Sequence, residues 1–200
     1  FPKGTFYFDV NGIYSQFDGM RYYGKGEGAT KLVAVGSGAL FDTSGFPRQT
    51  FAGMTIQGYG NHTGGSVIRH WSSTQGGNNF KAHDLTFEAC HDGIECVAFN
   101  SVHIERVNMV NMRGGFGVRA SGPAASQRCD LLRIKGLVYS ANPSYKVASQ
   151  AHGVIVEGFV NTINWSDLNI TNPWRGILVH NPYGLPYSQG PKLIVGNDVK

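Results

Sequence analysis

Apolar and polar positions repeat along the chain in five segments of one pattern: "FAGMTIQG" (51–58), "AHDLTFEA" (82–89), "IERVNMVN" (104–111), "IKGLVYSA" (134–141) and "WSDLNITN" (165–172). Each reads apolar, two variable, apolar, variable, apolar, variable, then a small residue or Asn. Each is followed by a Gly-led strand: "GSVIR" (65–69), "GIECV" (93–97), "GFGVR" (115–119), "GVIVE" (153–157) and "GILVH" (176–180). The second apolar positions, Met54, Leu85, Val107, Leu137 and Leu168, are spaced 31, 22, 30 and 31 residues apart. Within each strand the period is two, so alternate side chains point inward. A repeat of strands with this spacing predicts a parallel β-helix, in which stacked coils bury a core that no coil could bury alone.

Alignment of the repeats predicts the inward columns. Phe51, Ala82, Ile104, Ile134 and Trp165 form one; Met54, Leu85, Val107, Leu137 and Leu168 the next; Ile56, Phe87, Met109, Tyr139 and Ile170 a third. The Gly-led strands supply a fourth: Ile68, Cys96, Val118, Val156 and Val179. The inserts at 59–64 and 142–152 fall between the two strands of a coil, and those at 71–79, 121–127 and 182–190 after the second strand. The expected organisation is one continuous all-β domain, a right-handed parallel β-helix of about five to seven coils. Residues 1–45 supply its opening strands and 46–200 its coils.

Composition supports this reading. Charged residues make up 15% of the chain and Gly numbers 28, which suits short strands joined by tight turns and not a charged, disordered chain. The formal charge of +4 comes with no Lys/Arg run, so a nucleic-acid partner is not expected, whereas an acidic polysaccharide would fit the sign. No apolar run reaches 18 residues, so no transmembrane span is expected. Three cysteines, Cys90, Cys96 and Cys129, are an odd number and read as buried thiols.

The opening "FPKGTFYF…YYGKGEGATKLV" carries a resemblance. Pro2, Gly4, Thr5 and Phe6, followed by Gly24, Gly26, Gly28, Thr30 and Leu32, resemble the first elements of the pectate-lyase-like single-stranded right-handed β-helix superfamily, which includes phage tailspikes and polysaccharide lyases and hydrolases. With the five coils, the resemblance spans nearly the whole chain. It implies a carbohydrate-active protein that binds and cleaves an extracellular or capsular polysaccharide, at an extracellular or virion surface, with a homotrimer as the tailspike form. The Asp-rich helix common before the first strand in that superfamily is missing, and "LIVGNDVK" reads as another coil beginning, so a fragment is expected. The alternative is a non-catalytic glycan-binding adhesin or structural β-helix.

Candidate chemistry falls on the outward column Arg69, Val97, Arg119, Glu157 and His180. Glu157, His180, Arg119 and Glu95 are the candidate catalytic residues; Arg69, Trp71, Tyr183 and Tyr187 are the candidate substrate contacts. A lyase would use Arg to neutralise a uronate and a base to take the C5 proton; a hydrolase would need two carboxylates about 5–9.5 Å apart. A plain charge ladder on a solvated face is the competing reading. Glu95 is expected to lie beside Gly117, with no side chain opposite. His83, Asp84, Glu105, Arg106, Lys135 and Asp167 read as turn-stabilising charges. Within "FEACHDGIEC" (87–96) Cys96 points inward and Glu95 outward, so a Cys/His zinc site fails on direction. No cofactor is expected; Ca²⁺ held by Asp92 and nearby carbonyls is the one metal reading left open.

Overall fold

A computed structural model shows two parallel sheets wound into a β-solenoid of about five turns. It describes the chain apart from residues 11–12, 15–16, 61–63, 73–78, 145–150, 172, 174, 183–192 and 197–200; for Tyr14, Ala125 and 193–196 the backbone alone is described. The strands are β1 (Gly4–Asp9), β2 (Ile13–Tyr14), β3 (Arg21–Tyr23), β4 (Thr30–Val35), β5 (Phe41–Asp42), β6 (Gln49–Gly58), β7 (Ser66–Trp71), β8 (Asn79–Glu88) and β9 (Asp92–Val97). They continue as β10 (Ser101–Met112), β11 (Phe116–Gly122), β12 (Cys129–Ala141), β13 (His152–Gly158), β14 (Val160–Ser166), β15 (Asn169–Thr171), β16 (Arg175–His180) and β17 (Leu193–Gly196). Sheet 1 runs β1-β4-β6-β8-β10-β12-β14-β17, with β3 beside β6 and β15 beside β12. Sheet 2 runs β2-β5-β7-β9-β11-β13-β16. Among the described residues no helix is long and apolar enough to cross a membrane.

The long strands of sheet 1 are bent. One residue in each turn adopts a left-handed backbone: Gly53, Asp84, Arg106, Gly136 and Asp167, with φ of 67, 53, 50, 65 and 55°. Each directly precedes the second apolar position of the repeat, so the sequence pattern spans the corner. Gly takes this conformation without steric cost and Asp tolerates it. Arg106 is the exception, and charge holds it: its Nε lies 2.6 Å from Asp84 Oδ1, and Glu105 takes another guanidinium N–H. His83 Nδ1 also lies 2.8 Å from Asp84 Oδ2. Arg106 first, and then His83, lowers the Asp84 pKa to about 2. Gly136→Val is expected to cost about 1–2 kcal/mol, from conformation alone. An ideal Cβ there comes no closer than 3.6 Å to Arg106 N, which is ordinary contact. Urea unfolding measures the cost; an unchanged midpoint contradicts the left-handed corner.

Three of the four predicted inward columns occur in the expected register. Phe51, Ala82, Ile104, Ile134 and Trp165 align across sheet 1, as do Met54, Leu85, Val107 and Leu137, and Ile56, Phe87, Met109, Tyr139 and Ile170. The opening motif is a clasp. β1 pairs with β4, the Thr30 hydroxyl donates to Pro2 O at 2.8 Å, and Thr30 Oγ1 accepts the Lys25 N–H at 2.9 Å.

The fourth column needs correction. In sheet 2, Ile68, Ile94, Val118, Val154 and Ile177 share one row, and His70, Cys96, Ala120, Val156 and Val179 the next. Gly93, Gly117, Gly153 and Gly176 are the register-matched glycines, and each of the first three faces the carbonyl oxygen of the glycine one coil on. Alignment on Gly115 and Gly65 therefore slips those two coils by two residues. A slip of two preserves the in-and-out alternation, so the hydrophobic pattern alone does not reveal it.

All three cysteines are buried thiols. Burial raises the Cys90 and Cys129 pKa to about 12.

Candidate functional site

The register places two outward columns on sheet 2. One holds Asp42, Arg69, Glu95, Arg119, Ile155 and Leu178; the other holds Trp71, Val97, Ser121, Glu157 and His180. The expected single column of Arg69, Val97, Arg119, Glu157 and His180 thus interleaves the two. Glu95 does not stand beside a missing side chain: its register partner is Arg119, and Gly117 belongs to the inward glycine row.

Side chains nevertheless bring four of the candidates together. Arg119 reaches diagonally across the apolar Ile155 to Glu157, with Nε 3.0 Å and Nη2 2.7 Å from Glu157 Oε2. Its Nη1 lies 3.2 Å from Glu95 Oε1. The other Glu157 oxygen, Oε1, lies 2.9 Å from His180 Nε2. On the far side, Arg69 Nε is 3.9 Å from Glu95 Oε2, which also accepts the Ser66 hydroxyl at 3.2 Å. A network of alternating charge, Arg69–Glu95–Arg119–Glu157–His180, therefore crosses five consecutive coils. The Glu157 carboxylate is the most enclosed member, with a side chain 7% exposed, while Arg119 and His180 are about one-third exposed. The Phe116 ring lies under the Arg119 guanidinium, 5.9 Å from its centroid.

A cleft of about 470 Å³ opens over this network, lined by His91, Asp92, Phe116, His152, Ile155 and Glu157 among others. A smaller one, bounded by Asp42, Ser66, Arg69 and Glu95, continues it toward the N-terminal coils. Phe116, Asp92 and Arg119 line both, so the two form one groove along the coils. Trp71, 40% exposed, stands at the end of β7 in the column that holds Glu157. Tyr183 and Tyr187 lie outside the described residues.

Sequence reasoning missed two features of this groove. The first is the His91–Asp92 pair at the corner before β9. His91 Nδ1 lies 2.9 Å from Asp92 Oδ1, which also accepts the Phe116 N–H at 3.2 Å. The carboxylate fills the space where a Cβ on Gly115 would stand, 1.5 Å away. Its hydrogen bond is the main cause that raises the His91 pKa. The available signal was the "GG" at 114–115, which leaves room for those side chains. The second is His152, in register with Phe116 and Arg175. Burial first, then Arg175 and His180, lowers its pKa. It was absorbed into the insert at 142–152, although the period of two extends to it.

Among the described residues no three His, Cys, Asp or Glu side chains converge as a metal site. Asp92, the residue on which a Ca²⁺ reading rests, uses Oδ1 for His91 and the Phe116 amide.

What the arrangement can do follows from its charges. The two carboxylates both act as acceptors for one guanidinium. His180 is held through Nε2 by Glu157, which leaves its Nδ1 as the second ring nitrogen. No protein family, curated protein or solved structure matches the chain.

Proposed function

We propose that this chain is part of a carbohydrate-active β-helix, resembling the pectate-lyase-like superfamily, that binds an extracellular or capsular polysaccharide in the groove on the outer face of sheet 2. His180, oriented by Glu157, is its acid–base group. The observation that carries this reading is the relay from Arg119 through Glu157 to His180 beneath an open groove. Solenoid coils sit about 4.8 Å apart, which presents polar side chains at intervals suited to an extended polymer. A carboxylate on one imidazole nitrogen fixes the tautomer and leaves the other nitrogen to exchange a proton with substrate. An extracellular or virion surface, and assembly as a homotrimer, belong to the same reading.

The shared guanidinium bears on the reaction class. A two-carboxylate hydrolase sets its carboxyl groups on opposite sides of the scissile bond. Here Glu95 and Glu157 both converge on Arg119, which supports proton abstraction by His180, a lyase-type step, over hydrolysis. The alternating, mutually compensated charges also support a second reading, a binding or structural face without turnover.

Assay of polymer cleavage by the whole protein separates the two. His180→Ala is expected to lower product release by about 100-fold, with glycan affinity changed less than twofold. Unchanged turnover in that variant removes His180 from the chemistry. Glycan binding by wild type with no product on prolonged incubation selects the non-catalytic reading.

A further inference from the structure

The outer face of sheet 1, ahead of the left-handed corner, carries charge of a different kind. Arg21, Thr50, Lys81, His103, Arg133 and Asn164 lie directly opposite one another on consecutive strands β3, β6, β8, β10, β12 and β14. The column thus holds three cations and an imidazole at the coil rise of about 4.8 Å. Arg21, Lys81 and Arg133 are exposed, and His103 is half-buried. Lys81 and Arg133 flank His103 on either side, and successive cations of the column stand two coil rises, about 9.6 Å, apart. On sheet 2 the register sets Arg69 between Asp42 and Glu95, Arg119 beside Glu95, and His180 beside Glu157. On this column, among the described residues, Arg21, Lys81 and Arg133 form no ion pair. The carboxylate beside His103, Glu105, is engaged by Arg106. The next outward column runs Tyr23, Ala52, His83, Glu105 and Lys135, so its two basic side chains stand on either side of Glu105. Burial first, then the flanking Arg133 and Lys81, lowers the His103 pKa. A cleft of about 360 Å³ continues the face toward the N-terminal coils, lined by Arg21, Arg48, Gln49, Thr50, Asn79 and Lys81.

We propose that this ladder is a second binding site, separate from the groove on sheet 2, and that it takes an acidic polysaccharide whose carboxylate or sulfate groups lie along the coil axis. Two features favour that occupant over a nucleic acid. The face is straight and regularly spaced, and its remaining side chains, Thr50 and Asn164, offer hydrogen bonds suited to sugar hydroxyls and carboxylates. Single-stranded nucleic acid is held by several aromatic faces interleaved with the cations; the six ladder residues include no Phe, Tyr or Trp, and Tyr23 stands alone on the adjoining column.

The site is tested on the whole protein by titration with three probes: oligogalacturonate, its methyl-esterified and so uncharged counterpart, and a single-stranded oligonucleotide of matched charge. Oligogalacturonate is expected to bind in a salt-sensitive manner. The double variant Lys81→Ala/Arg133→Ala is expected to weaken it by about tenfold or more, through two lost charge-assisted contacts. Lys31→Ala, beyond the corner on the same sheet, leaves it unchanged. Because the substituted side chains are exposed, both single variants of the pair should fold, and each should lose part of the affinity. Equal binding of the esterified oligomer, an unaffected double variant, or tighter binding of the oligonucleotide overturns the proposal. Loss of binding in Trp71→Ala, at the exposed end of β7 on sheet 2, with the double variant unaffected, places the acidic polymer on sheet 2 and also overturns it.

Discussion

Gly93→Ala is expected to destabilise the solenoid by about 3 kcal/mol, a fall in Tm of roughly 10 °C for a chain of this size. A Cβ at this position would lie 2.3 Å from Gly117 O and 2.9 Å from Met109 Cε. The methionine end can move, but Gly117 O cannot, because the ladder between β9 and β11 sets the separation of the coils. Gly117 and Gly153 stand in the same relation to the coils that follow them, with a Cβ 2.7 Å from Gly153 O and from Gly176 O respectively. The row is thus a continuous seam where the interior approaches the backbone too closely for any side chain. Gly60→Ala is the control: nothing lies within 4 Å of its added methyl group, and its midpoint should not move. Equal midpoints for the two variants would mean that the coils are not in this register.

The wild-type chain is expected to lose about 3 kcal/mol of stability between pH 7 and pH 4 through His70 alone. His70 is 1% exposed in the inward row with Cys96, its Nδ1 3.0 Å from Thr43 Oγ1 and its ring 5.5 Å from the Phe80 ring. Burial lowers its pKa from 6.5 to about 4, against opposing contributions from Thr43 and Asp42. The folded chain therefore refuses a proton that the unfolded chain accepts across that interval. Stability from this residue is intact above pH 6.5, falls as the pH drops toward 4, and changes no further below it. His70→Leu removes the titration while keeping the site apolar, and the Thr43 hydroxyl still donates to Arg69 O at 3.1 Å. Urea unfolding at both pH values should show wild type losing about 3 kcal/mol more than the variant. Identical pH dependence would mean that His70 is hydrated in the native state.

The sequence made the fold legible because each coil repeats the same apolar triplet, and sheet 1 follows that triplet without a slip. Sheet 2 was less legible for a specific reason. Its strands begin at glycines, but "GFG" contains two, and only Gly117 faces Gly93 and Gly153. Choosing Gly115 moved Arg119 two residues along, which separated it from Glu95 and set it beside Glu157. Arg119 does contact Glu157, diagonally, so the pairing of Glu157, His180 and Arg119 survived the wrong register while the role of Glu95 did not. The basic ladder was invisible for another reason. Arg21, Lys81, His103 and Arg133 are spread over more than a hundred residues of chain, and only the stacking of coils makes them neighbours. The absence of a Lys/Arg run in the sequence said nothing about that face. His70 follows Ile68 by the alternation of the strand, but its polar side chain does not mark it as a core position.

The location of the polysaccharide groove is tested most directly by heteronuclear NMR titration of the whole protein with an uncharged oligosaccharide that it binds. Backbone shifts at Glu95, Arg119, Glu157 and His180 are expected, with the Lys81, His103 and Arg133 amides unmoved. Shifts that leave those four sheet 2 residues unmoved would contradict a binding site on this face.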